Sequence, residues 1–432
     1  MAKYSNVPSN ASLEVSEFTV QIPESDLQDL KTQLRVSKLG PKTYENLRAD
    51  AKFGVIYQWM SDAKAYWESR FEWRSVEARI NSFPNFTTQL VDDDGSVYKV
   101  HFACLFSERQ DAIPLMCVHG WPGHFLEFLD ILSILKKRYS PRELPYHVVI
   151  PSLPGYAFSD TPPLERDWKL EDSARLLHKL MAGLGFGSGY AVQGGDIGSY
   201  TTRIMASLYD SCKGMEVNFC VIPCPDVATH GHLDLDVFEK EGLERGDNFA
   251  KFGTGYAIEH STRPATIGFA LSASPLALLA WVGEKFLKWT DKPPSLDQIL
   301  ESVTLYWLTE TFPRAVYPYR QVQGPKRYMV HSDPKYYCHK PFGYSWFPKE
   351  IAPVPKSWAA TTGNLVWFTR HSEGGHFAAM EQPEVLLTDI EDFLSQVWSQ
   401  SQAVMRHSEN VFSNFEQAES AGKMAKRHDT GK

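Results

Sequence analysis

The stretch Tyr190-Ala191-Val192-Gln193-Gly194-Gly195-Asp196-Ile197-Gly198-Ser199 constrains this chain more than any other. A short apolar run enters Gly-x-Asp-x-Gly, and a helical pattern leaves it. This is the form of the Gly-x-Ser-x-Gly nucleophile elbow, with Asp in the central place. A sharp strand-to-helix turn raises the central side chain above the backbone, so the flanking side chains must be minimal. The following amide, that of Ile197, then points to where an oxyanion would develop. The alternative for the motif alone is a glycine-rich turn whose Asp caps the helix.

Such a turn needs a buried strand before it, and the surrounding sequence supplies more of them. The runs Pro114–Val118, His147–Ile150, Tyr190–Gln193 and Glu216–Ile222 are short, apolar and closed by turn residues. Helical stretches separate them, such as Asp172–Met181, closed by Gly183 and Gly185. That alternation predicts an α/β fold with a mostly parallel sheet. Upstream, Gln89–Val91 and Val97–Phe102 flank Asp94-Gly95 as a hairpin. The first 90-odd residues read as helices and irregular chain, with Pro23 and Ser25 ahead of Leu27, Leu30 and Leu34. Phe53, Ile56, Tyr57 and Met60 form a second helical stripe. Beyond Asp226 the alternation lapses into helices and loops, and Asn364–Phe368 restores one strand. The expected organisation is an N-terminal meander over 1–95 that wraps the core and a first core part over 96–225. A helical lid over 226–340, a second core part over 341–400 and a polar tail over 401–432 follow.

Composition narrows the function classes. The 432 residues carry a net charge of -8 and offer no basic field, so nucleic acid is not an expected partner. Six cysteines contain no Cys-x-x-Cys pair, and no Cys/His pair accompanies Cys220 and Cys224. They read as core thiols in a reducing compartment, with no metal. Residues 1–10 lack an apolar signal core. The uncharged run Ile267–Gly283 is shorter than the roughly 20 apolar residues of a membrane span. A soluble, cytoplasmic protein without a membrane anchor is expected. The 12 Trp, 19 Tyr and 25 Phe fit a large core or an aromatic-lined pocket.

Two further segments complete a candidate site. His119-Gly120-Trp121-Pro122-Gly123 follows a strand, where a second oxyanion amide belongs. Trp121 is the expected donor, because Pro122 has no N–H, and His119 is expected to shape the loop. Late in the chain, Glu373-Gly374-Gly375-His376-Phe377 places His376 where a general base belongs. Glu350 is the expected acid partner of His376; Glu373, on the same turn as the base, is the alternative.

With Pro151-Ser152-Leu153-Pro154-Gly155-Tyr156, these motifs make the chain resemble the microsomal-type epoxide hydrolases of the α/β-hydrolase superfamily, especially soluble fungal members. The resemblance spans most of the chain. It implies that epoxides become vicinal diols through a covalent ester on Asp196, hydrolysed by a water that His376 activates. It also implies two lid tyrosines that hydrogen-bond the epoxide oxygen. Tyr256 matches the first, and Tyr319 the second, with Tyr317 a close competitor. No cofactor or metal is implied; the partners are a small hydrophobic epoxide, water and a second copy in a homodimer. Detoxification, nutrient use and secondary metabolism are all compatible with this chemistry. A haloalkane dehalogenase would use Trp or Asn halide donors instead of two tyrosines. A Ser esterase would need Ser at position 196, and a non-catalytic scaffold would tolerate loss of Asp196 and His376.

Overall fold

The computed structural model describes residues 3–322 and 330–398, so the expected tail over 401–432 lies outside the described residues. Nine strands form one sheet: β1 (Val15–Glu17), β2 (Asn85–Val91), β3 (Val97–Leu105), β4 (Ile113–Val118), β5 (Tyr146–Pro151), β6 (Tyr190–Gly194), β7 (Cys212–Val217), β8 (Cys338–Trp346) and β9 (Gly363–Arg370). Their order is β1-β2-β3-β5-β4-β6-β7-β8-β9. The pairs β1–β2, β2–β3 and β3–β5 are antiparallel, and the remaining pairs are parallel. Strands β5 and β6 are buried at every residue, which is why each reads as an apolar run without alternation. This is an α/β-hydrolase core.

The expected hairpin sets Val91 opposite Val97, with Gly95 at φ 84 in its turn. The N-terminal segment also contributes β1, which was read as helical or irregular; its three residues are too few to show a period. Helices α1 (Glu24–Val36), α2 (Tyr57–Ser69) and α3 (Trp73–Asn81) fill the rest of that segment. Helix α2 starts after Phe53, which stays exposed. Strand β7 stops at Val217, short of the expected Ile222, where the chain bends at Asn218. Strand β8 is the penultimate core strand expected ahead of Glu350, but no apolar run marks its range, because Pro341 and Gly343 break its pattern and sit at its register shifts.

Helices α4 (Leu129–Arg138), α5 (Leu170–Met181) and α6 (Asp196–Leu208) connect the central strands. Between β7 and β8 lie α7 (Val227–His230), α8 (Val237–Phe252), α9 (Gly255–Thr262), α10 (Pro264–Ser272), α11 (Pro275–Lys288), α12 (Leu296–Leu308), α13 (Phe312–Ala315) and α14 (Tyr319–Val322). The uncharged run Ile267–Gly283 is divided between α10 and α11, which meet at a bend of 118°. Ser274 caps α11 and Pro275 takes its first position, so one straight helix cannot form. Among the described residues no single helix is long and apolar enough to cross a membrane. The C-terminal part adds α15 (Lys356–Ala359), α16 (Ala378–Glu381) and α17 over 383–398. Five cysteines are buried thiols, whereas Cys224, expected in the core, is exposed where the chain leaves the sheet for α7.

Candidate active site

The elbow forms where β6 hands over to α6. Asp196 is the first residue of α6 and has φ 45, a left-handed conformation that costs energy for a residue other than glycine. The turn is crowded against its neighbours. A Cβ on Gly198 would lie 2.0 Å from the carbonyl oxygen of Val118, so only glycine fits there. The side chain of Asp196 is thereby raised at the C-terminal edge of the parallel strands.

The loop after β4 closes over that carboxylate. The Trp121 backbone N–H donates to Oδ1 of Asp196 at 2.8 Å. A Cβ on Gly120 would fall 2.2 Å from the same oxygen and 2.6 Å from the Ile197 nitrogen. The amides of Trp121 and Ile197 therefore border one carboxylate. His119 is buried, and its Nε2 accepts the Leu153 N–H at 3.1 Å, while Nδ1 meets the Gly120 carbonyl at 3.0 Å. Burial pushes it down to about 4, so it is a neutral brace for the loop.

His376 and Glu350 arrive from the loops after β9 and β8. Nδ1 of His376 lies 2.6 Å from Oε1 of Glu350, and Nε2 lies 3.3 Å from Oδ2 of Asp196. The second contact is close enough for attraction but poorly aligned as a hydrogen bond. Burial opposes the imidazolium, but the Glu350 and Asp196 carboxylates outweigh it and raise His376 to about 10. The Ile351 N–H donates to Oε1 of Glu350 at 2.5 Å, and Arg245 holds the Lys349 and Glu350 carbonyls. Glu373, the alternative acid, points to solvent and pairs with Lys292 at 2.7 Å. The segment between β7 and β8 also holds the His376 loop, because the His376 N–H donates to the Trp289 carbonyl at 2.9 Å.

Both expected lid tyrosines pack on Trp121. Tyr256, on α9, stacks on the indole at 5.4 Å between ring centres, and Tyr319, on α14, meets it edge-on at 5.7 Å. Burial and then the Asp196 charge raise Tyr256, and burial with the neighbouring Tyr256 and Asp196 raises Tyr319. Tyr317, the competitor, turns away and bonds Oγ of Ser173 at 2.9 Å.

Three buried polar residues here were not picked out from sequence. Glu127 fills the space that a side chain at Gly123 would need, and burial pushes it up to about 8. It helps line a cavity of about 20 Å³, together with Gly120, Trp121, Asp196, Asn218 and His376. His260 and Lys285 pack against the ring of Tyr256. The only signal for Glu127 was its place three residues after His124, as in a capping box. Nothing local singled out the other two.

An Asp on a strained strand-to-helix elbow, faced by an amide and a His–Glu pair, defines a hydrolase site on an α/β-hydrolase core. The sequence profile described as alpha/beta hydrolase fold matches residues 113–310, and that described as epoxide hydrolase N terminus matches residues 15–128. The structure of Aspergillus niger epoxide hydrolase superposes with a TM-score of 0.86 at 50% identity, covering 92% of this chain and 100% of that one. Epoxide hydrolase 1 of Sus scrofa is 30% identical over 411 residues, 88% of each chain. The juvenile hormone epoxide hydrolase of the silkworm Bombyx mori shares the fold, with a TM-score of 0.74 at 23% identity over 90% of this chain and 95% of that one. The chain belongs to the epoxide hydrolase family and is a hydrolase acting on ether bonds.

Proposed function

We propose that the chain converts epoxides to vicinal diols in two covalent steps. The observation that carries the proposal is the division of labour at Asp196. Oδ1 is held by the Trp121 amide, and Oδ2 is left beside His376 as the free nucleophile. Oδ2 attacks an epoxide carbon in line, and the carbon–oxygen bond breaks on the far side. Tyr256, edge-on to Tyr319, gives its proton to the leaving alkoxide, which is too basic to depart unaided. The product is a hydroxyalkyl ester of Asp196.

Ester formation then prepares the second step. The Asp196 charge disappears, and His376 loses one of the two carboxylates that hold it protonated. The ring returns its proton to the Tyr256 phenolate, and the neutral imidazole becomes a base. A water in the cavity beside Glu127 and His376 attacks the ester's acyl carbon and passes its proton to Nε2. Glu350 orients the ring and stabilises the imidazolium. The oxyanion forms on Oδ1, beside the Trp121 and Ile197 amides; one such donor is typically worth about 3–4 kcal/mol. Collapse breaks the Cγ–Oδ2 bond; the remaining proton of the added water passes to the departing diol oxygen, and the carboxylate is restored. No cofactor enters this scheme. The substrate is a small hydrophobic epoxide, because the rings of Tyr256, Tyr319 and Trp289 gather around Trp121, whose amide holds Asp196.

His376→Gln tests the scheme. The variant should form the ester and stall, so its intact mass should rise by the mass of one epoxide. An unchanged mass in a folded variant that has lost turnover would refute the two-step reading.

A further inference from the structure

Lys285, on α11, is almost completely buried, with 5% of its surface exposed. Its Nζ lies 4.7 Å from the ring centre of Tyr256, 5.5 Å from Trp281 and 5.9 Å from Trp289. A buried ammonium is costly, and an apolar side chain would fill the same space at no such cost. Among the described residues its carboxylate partner is the preceding Glu284, which is partly open to solvent. The rest of its surroundings are aromatic faces, which attract a desolvated cation.

We propose that Lys285 is a positioning residue that makes Tyr256 a better acid: its ammonium faces the ring on which negative charge grows as the epoxide opens. A ring approaching the phenolate state is far richer in electrons than a neutral phenol, so the cation binds the transition state more tightly than the resting state. The other groups facing Tyr256 do not supply a cation. Asp196 and Tyr200 come from α6, Tyr319 from α14 and Glu284 from α11, and these carboxylates and phenols act against ionisation or pair with the hydroxyl. His260, one turn along α9, accepts the Trp281 indole N–H on Nε2 at 2.9 Å, so its own proton sits on Nδ1. Burial, helped by Lys285, pushes His260 down to about 3 and keeps it neutral. Glu284 and Lys285 therefore act on Tyr256 in opposite senses from adjacent positions.

The inference rests on the reading of Tyr256 as the proton donor, and the experiment separates the two. Ester formation is followed in single turnovers of the full chain with styrene oxide, from pH 6 to pH 11. Lys285→Met, which keeps the bulk of the stem, should slow ester formation about 10- to 100-fold. It should also move the alkaline limb of that step to higher pH, leaving ester hydrolysis unchanged. Lys285→Arg should restore the rate. Glu284→Gln should move the limb to lower pH, and this variant decides the matter alone if Lys285→Met does not fold. Unmoved limbs, or limbs that move the same way in both variants, would overturn the inference. If Tyr256→Phe itself forms ester at the parental rate, the proton-donor reading fails instead.

Discussion

Replacement of Glu350 by Gln separates the two chemical steps most cleanly. The Nδ1–Oε1 contact is 2.6 Å, and both side chains are 1% exposed, so solvent cannot replace the lost charge. Gln keeps the shape and an acceptor oxygen for Nδ1–H, so the ring should stay oriented. What is lost is the charge that stabilises the imidazolium. A charged hydrogen bond of this kind is worth about 1.5–3 kcal/mol, which corresponds to roughly 10- to 150-fold in rate. That loss should fall on ester hydrolysis, where His376 gains a proton, and not on ester formation, where it gains none. Rapid-quench single turnovers with intact-mass detection read both steps. Accumulation of ester, with its formation rate within about twofold of the parent, is expected. Equal slowing of both steps, or no ester at all, would refute the assignment of Glu350 as the partner of the base.

Tyr319→Phe should slow ester formation about 10- to 100-fold, whereas Tyr317→Phe should leave it near the parental rate, because its hydroxyl serves Ser173; burst kinetics distinguish the two. Gly198→Ala would drive a Cβ to within 2.0 Å of the Val118 carbonyl and should cost about 3 kcal/mol or more in urea unfolding. The folded-state value of His376 is raised from 6.5 to about 10, so its contribution to stability is complete below 6.5 and is lost as pH rises through about 10. Thermal melts from pH 6 to pH 11 should show that loss, and Glu350→Gln should flatten it.

The sheet was legible wherever strands are buried on both faces, because β4, β5 and β6 leave continuous apolar runs in the sequence. It was illegible in β8, where Pro341 and Gly343 sit at register shifts, and in β1, whose three residues carry no period. The elbow and the His119–Gly123 loop were legible because close backbone approach demands glycine at fixed spacing. His376 and Glu350 were separated from them by a helical insertion, so their meeting could be expected only from chain order and resemblance. Tyr319 was preferred to Tyr317 on resemblance alone, and only the fold separates their contacts, Tyr319 against Trp121 and Tyr317 on Ser173. Lys285 and Glu127 had no sequence signature of function: each gains its meaning from burial, and burial of a charged side chain is a property of the packed fold.

The central claim is that Asp196 forms a bond to the substrate and that water attacks Asp196, not the epoxide. A single turnover in water enriched in heavy oxygen tests it directly, with the peptide containing Asp196 analysed by mass spectrometry. Covalent catalysis predicts one heavy oxygen in the Asp196 carboxylate and none in the diol from that first turnover. Heavy oxygen in the diol with an unlabelled Asp196 would show direct attack by water and contradict the account.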